Sequence, residues 1–268
     1  MPTELTPHTI EAYNLSHASE NKIHDDSVAQ RLGFSGGLVP GVEVYAYACH
    51  QPVARWGSAF LTRGEIMCRF SKPVYDGRKA TVSAREQDGR LDLAVDSEGV
   101  QCATGTAHLV DTPVAPRLPS RIPPLPPALD LRPIADETSL APGTPLGIQP
   151  HAIDAERLQA YLDDVRETDP LYARERIIHP GLLLRLCNSA LKDNVRLAPW
   201  IHTGSHVRNY ALAHVDDELS VRGQVAANYD RKGHRIVDLD LTLVTNGKTV
   251  IAHVLHTAIY RLRHLEGA

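Results

Sequence analysis

The chain repeats itself, and this restricts its architecture more than any other feature. Residues 7–12, PHTIEA, return as PHAIDA at residues 150–155. The run LVPGV around Gly41 matches IIHPGL around Gly181, a shift of 140 that also pairs Phe70 with Tyr210 and Asp76 with Asp216. Asn21-Lys22-Ile23-His24 matches Asp169-Pro170-Leu171-Tyr172, and the same shift of 148 pairs Gly99 with Gly247 and His108 with His256. The eight added residues fit a longer hairpin around NYDRKGHR. Matches that keep their order and near-constant spacing along both halves mark a tandem duplication.

Between the copies the composition changes. Eleven of the nineteen prolines lie between Asp111 and Pro150. Proline fixes φ and lacks an N–H, so this stretch is neither helix interior nor central strand and reads as an extended linker along the surface. The expected units are an N-terminal repeat over 1–112, a linker over 113–145 and a C-terminal repeat over 146–268. Each repeat carries one helical segment after its Pro-Gly, at 42–57 and 182–194. Runs with strand character follow, at 59–74, 79–86, 90–97 and 100–110, then at 203–215, 219–227, 236–244 and 249–262. The D-G pairs between runs suit tight hairpins. One helix followed by an antiparallel meander is an α+β layer, in which the helix covers the apolar face of the sheet.

Bulk properties narrow the function. With 43% hydrophobic residues in 268, the chain can bury a real core, and with 5% aromatics that core is aliphatic. A net charge of −4 gives no electrostatic case for nucleic acid or an anionic membrane surface. No apolar run reaches membrane-spanning length, and the first residues lack the blocks of a signal peptide, so a cytoplasmic location is expected. Cys49, Cys68, Cys102 and Cys187 are scattered and read as small buried hydrophobes, and no metal-ligand spacing is present.

The chemistry concentrates in Glu20–Gly41, ENKIHDDSVAQRLGFSGGLVPG. Here Asn21, Ile23, His24, Asp26, Ala29, Gly33-Phe34, Gly36 and Pro40-Gly41 resemble the signature of MaoC-like hydratases and dehydratases. That resemblance implies a double hotdog, two tandem repeats each with an antiparallel sheet wrapped around a central helix. It also implies reversible addition of water to a 2-enoyl-CoA with R specificity. No separate cofactor is implied, coenzyme A being part of the substrate. Water addition to an acyl thioester needs an acid–base group near the β-carbon and a donor for the enolate-like charge on the thioester oxygen. His24 suits the first role, its ordinary pKa lying near neutrality. The N–H of Gly41 at a helix start suits the second as an oxyanion donor. Asn21 orients water or holds the loop, with Ser19 or Glu20 beside it, and Gly36, Gly37 and Val39 are expected to border the substrate.

This chain departs from the family pattern in instructive ways. Ser19 stands where the family has its catalytic Asp, Lys22 where it has Pro, and Pro40 where it has His. In the second repeat Glu167 stands at the Asp position and Tyr172 replaces the histidine, so that site reads as degenerate. His24 beside Asp25 and Asp26 also suits a purely local hydrogen bond. Arg63, Arg69, Lys72 and Arg78 suit either coenzyme A phosphates or, more simply, a solvated strand edge. His108 and His256 read as satisfied sheet residues. The readings left open are a hydratase, a hotdog thioesterase hydrolysing an acyl-CoA, and a non-catalytic acyl-CoA-binding protein. A homodimer is also compatible.

Overall fold

The structure, a computed structural model, describes residues 2–17, 19–118 and 122–263. The first repeat runs β1 (Thr3–Glu4), β2 (His8–Glu11), α1 (Asp26–Arg31), α2 (Gly41–Trp56), α3 (Ser58–Arg63), β3 (Gly64–Phe70), β4 (Lys79–Gln87), β5 (Arg90–Ser97) and β6 (Val100–Leu109). The second runs β7 (Pro145–Gly147), β8 (His151–Ala152), α4 (Ala155–Asp164), α5 (Leu171–Glu175), α6 (Pro180–Lys192), β9 (Ile201–Asn209), β10 (Glu218–Arg231), β11 (His234–Thr245) and β12 (Thr249–Arg261). No helix among the described residues is long and apolar enough to cross a membrane.

The long strands form one antiparallel sheet in the order β4-β5-β6-β3-β9-β12-β11-β10. Each repeat therefore contributes the same arrangement, and the two meet at β3 and β9, where Glu65–Arg69 pair with Arg208–Gly204. The long central helices α2 and α6 pack on each other beneath this sheet. Nearly every residue of α2 from Val42 to Cys49 is buried, as expected for a helix apolar all round. Asp88-Gly89 closes the β4–β5 hairpin and Glu98-Gly99 the β5–β6 one, as expected. Asp76-Gly77 closes none, because β3 crosses over to pair with β6 and β9 and not with β4. β10–β11 is the longer hairpin, closing at Lys232-Gly233. All four cysteines are free and buried.

Three further expectations are corrected. Ala59–Arg63 is not strand but the body of α3. Gly57, at φ +57°, stops α2 and redirects the chain so that Phe60 and Leu61 bury themselves, and the strand starts only at Gly64. The register of the repeat around the central helices is 139 rather than 140, because the bridges Leu38–Tyr75 and Ile177–His214 are equivalent. The counterpart of Gly41 is thus Pro180, and that of Pro40 is His179, each of the latter being the helix N-cap. The shared Pro-Gly pair masks this slip in the sequence. Finally, the proline-rich stretch is more than a surface linker. Val114 and Leu131 are exposed, but Leu140 is fully buried and Leu129 and Arg132 line a cavity described below.

Candidate active site

His24 ends a short turn (Lys22–His24) that is held from several sides. The aspartates beside it do not bond its ring. Asp25 caps α1 by accepting the N–H of Val28, and Asp26 accepts the N–H of Gly37 at 2.6 Å. The imidazole Nδ1 lies 2.7 Å from the carbonyl oxygen of Leu38. A carbonyl only accepts, so Nδ1 carries the proton and Nε2 presents a lone pair. That lone pair faces the Asn21 amide nitrogen at 3.3 Å, a long and readily yielded contact. Asn21 is itself clamped to the second repeat, donating to the Trp200 carbonyl at 2.9 Å and accepting the Trp200 N–H at 3.2 Å. Burial pushes the His24 pKa down to about 4, aided by the positive charge of Arg185 and resisted by the Leu38 bond. The ring is therefore a neutral base at pH 7.

Gly41 opens α2, so its N–H has no intrahelical partner. It has no acceptor among the described residues. A side chain there is excluded: a Cβ would stand 2.8 Å from Nδ1 of His202 and 3.1 Å from the His202 carbonyl oxygen. His24, Gly41, Asn21, Asn188 and His202 border one small void of about 30 Å³, room for a water molecule. It adjoins a larger cavity of about 520 Å³ that shares His24, Asn21, Pro40, Asn188 and Trp200 with it.

Asn188 is set by a buried polar chain. His202 Nε2 approaches Ser205 Oγ at 2.8 Å, Ser205 Oγ approaches His256 Nδ1 at 2.9 Å, and His256 Nε2 meets Asn188 Oδ1 at 3.0 Å. Burial holds the His256 pKa down at about 3, so the ring is neutral, and its Nε2–H donates to the Asn188 oxygen. The amide NH₂ of Asn188 is left as the group available to the cavity.

The matching place in the second repeat is closed. Pro180 occupies the position of Gly41 and has no N–H to offer. The His179 side chain turns back to accept the Gly181 N–H at 3.0 Å, and its ring packs on Tyr172 at 4.5 Å. The hydroxyls of Tyr161 and Tyr172 are buried with no partner among the described residues. Glu167 lies 2.8 Å from His50 and 3.5 Å from His179 and accepts two backbone N–H groups, so it belongs to this closed region and does not reach His24. Burial raises its pKa, but the two histidines and the Asp169 N–H outweigh burial and hold it well below the usual carboxylate range.

Of the residues singled out in sequence, the structure brings His24, Asn21, Ser19 and Glu20 to the larger cavity and Gly41 and Val39 to the smaller. Ser19 spends its hydroxyl on the Asn21 carbonyl, and the Glu20 side chain is 70% exposed, 4.0 Å from Arg132 at the rim. Gly36 and Gly37 line neither cavity. Gly37 instead lets its backbone pass the His24 carbonyl, which an added Cβ would meet at 2.5 Å. Arg63, Arg69, Lys72 and Arg78 are also absent from the walls, whose cations are Arg132, Arg157, Arg185, Lys192 and Arg196. Sequence reasoning missed Asn188, Arg185, His202 and the role of His256. The only signal was a polar pair within an apolar helical run, LLLRLCNSAL, where Arg185 and Asn188 fall three apart on one face.

No family model matches the sequence, and no curated protein matches it. Solved structures do. A protein from Chloroflexus aurantiacus named as a MaoC domain dehydratase is similar over 98% of this chain and 95% of its own, with a TM-score of 0.63 at 14% identity. A Mycobacterium tuberculosis protein described as a double hotdog is similar over 95% of this chain and 96% of its own, with a TM-score of 0.59 at 13% identity. The chain is a double hotdog. A protein from Thermobifida fusca named as a thioesterase II is also similar, over 95% of this chain and 92% of its own, with a TM-score of 0.51 at 14% identity. The hotdog architecture is thus shared with proteins named for two different reactions.

Proposed function

We propose that this protein is an acyl-thioester hydratase/dehydratase acting on a 2-enoyl-CoA. The observation that carries the reading is the shared void: a neutral imidazole lone pair and an unpartnered amide at a helix start border the same water-sized space. With the thioester oxygen at the Gly41 N–H, the enolate-like charge is met by a backbone donor and by the positive end of α2. The Asn188 amide supplies a second donor. His24 Nε2 takes a proton from water as the water oxygen bonds to the β-carbon, and the Cα=Cβ pair moves toward the carbonyl. The imidazolium formed is disfavoured by burial, so it returns that proton to the α-carbon, which completes addition of one water. One group that both removes and delivers the proton adds the OH and the H of one water to the same face of the double bond. Ser19 is no carboxylate and Glu20 faces the rim, so the family Asp has no replacement at its own position, and His24 carries the proton alone. Lys192 and Arg196, exposed residues of the cavity wall, suit the phosphates of coenzyme A.

The alternative with an observation behind it is thioester hydrolysis, since His24 could direct water at the carbonyl carbon instead. Short enoyl-CoA esters incubated with the enzyme separate the two. Loss of the enoyl absorbance without release of thiol is expected; thiol release in step with turnover would replace the hydratase reading with a thioesterase one. A protein that binds such esters tightly with neither signal is a binding protein.

A further inference from the structure

His202 is 5% exposed, yet its Nδ1 has no hydrogen-bond partner among the described residues. The ring is held in place, stacked on His256 at 4.1 Å and packed at an angle against Phe70 at 4.9 Å. Its Nε2 lies 3.1 Å from the Gly204 carbonyl oxygen. That oxygen only accepts, so Nε2 carries the proton and Nδ1 is a bare lone pair. Burial drives the His202 pKa well below its ordinary value, so the ring is neutral. The lone pair lies at the small void: a Cβ on Gly41 would stand 2.8 Å from it, and both residues line that space. A buried acceptor left unmet is costly, so its place is explained by a hydrogen supplied from the void.

The polar chain that leads away from His202 returns to the same void. With His202 Nε2–H donating to Ser205 Oγ, the Ser205 hydroxyl donates to His256 Nδ1, and His256 Nε2–H donates to Asn188 Oδ1. Every link points the same way, so the chain ends in a lone pair on one side and an amide NH₂ on the other. Both end residues border the void. The remaining groups there are the His24 lone pair and the Gly41 N–H. A thioester oxygen only accepts, so it answers the two donors and neither imidazole. The two imidazole lone pairs call for a molecule with two hydrogens to give, and in so small a space that molecule is water.

We propose that His202 binds the attacking water, one O–H of which donates to His24 Nε2 and the other to His202 Nδ1. His24 removes the first hydrogen. The second stays on oxygen and becomes the hydroxyl hydrogen of the product, still directed at His202, while an oxygen lone pair forms the bond to the β-carbon. The carbon attacked rests on the hydratase reading, but the water site can be tested without turnover. A high-resolution crystal structure of the free protein should show a water within hydrogen-bond distance of both nitrogens. An Nδ1 with no such water overturns the inference whatever the reaction. Two variants then separate water binding from packing. In His202→Gln the amide can replace Nε2–H toward Ser205 and leaves no acceptor at the Nδ1 place. In His202→Asn the amide oxygen can stand where Nδ1 was. His202→Gln should lower kcat for an enoyl-CoA about tenfold, the scale of one lost hydrogen bond, with KM unchanged, because the ester gives His202 no hydrogen. His202→Asn should recover most of that loss. Full kcat in His202→Gln, or equal losses in the two variants at matched denaturant midpoints, would overturn the inference. A water on both nitrogens in a protein that releases thiol and hydrates no enoyl ester would keep the water site and sink the hydratase.

Discussion

The two central helices begin in opposite ways, though they occupy equivalent places in the sheet. At the start of α2 a glycine leaves its N–H free and a water-sized space in front of it. At the start of α6 a proline removes that N–H, His179 caps the turn with its own ring, and Tyr161 and Tyr172 fill the space. The difference teaches that the hotdog scaffold does not itself make a site. The first repeat keeps a backbone donor with room before it, whereas the second holds Pro180 and packed rings at the equivalent place.

The contrast can be broken most directly at His24. His24→Ala should lower kcat/KM for an enoyl-CoA about a hundredfold or more without abolishing folding. A variant that keeps full activity would move the base elsewhere.

Acid offers a second handle. His24 goes from 6.5 unfolded to about 4 folded, so between these values the unfolded chain binds the extra proton. The associated stability, roughly 3 kcal/mol for that shift, is present above pH 6.5 and lost as pH falls toward 4. His202 and His256 are shifted the same way by burial and steepen the loss. Denaturant midpoints measured across this window should fall with pH, and less steeply in His24→Asn. A pH-independent midpoint in the native protein would contradict the buried neutral imidazoles. In the same window activity should hold below pH 6.5, where an ordinary histidine base would already be protonated.

Paired glycine substitutions sharpen the comparison. Gly41→Ala drives a methyl to 2.8 Å from His202 Nδ1 and should cost activity beyond its loss of stability, read as kcat/KM per folded molecule. Gly181→Ala meets the Tyr161 hydroxyl and Ala46 and should cost stability alone, about 1–3 kcal/mol by overpacking. The smallest expected effect is Tyr172→Phe. It removes a buried hydroxyl with no partner among the described residues and should raise stability by about 1 kcal/mol with kcat/KM unchanged. An activity loss there would mean the second repeat is not closed.

Much of this was legible before the fold was known. The duplication, the α+β order, all but one of the hairpin turns and the closeness of His24 to Gly41 depend on local patterns, and local patterns are what a sequence displays. The one-residue register slip escaped because two Pro-Gly pairs look equivalent, although only the helix caps define equivalence. Arg185, Asn188 and the His202–Ser205–His256 chain escaped for another reason. Their meaning depends on which faces of α6, β9 and β12 turn toward the loop of the first repeat, and that is decided by the join of β3 to β9. Gly36 and Gly37 were read as substrate contacts because the loop leads to the site, whereas the close approach to His24 and Asp26 explains them fully.

The join of β3 to β9 has one more consequence. Where two identical subunits build such a sheet, every substitution appears on both sides of the symmetry axis, so a change that improves one pocket must be tolerated in its twin. Here each position is written once. One copy is free to close its pocket, as Glu167, Tyr172 and Pro180 do, while placing Arg185 and Asn188 in the walls of the cavity that His24 of the other borders.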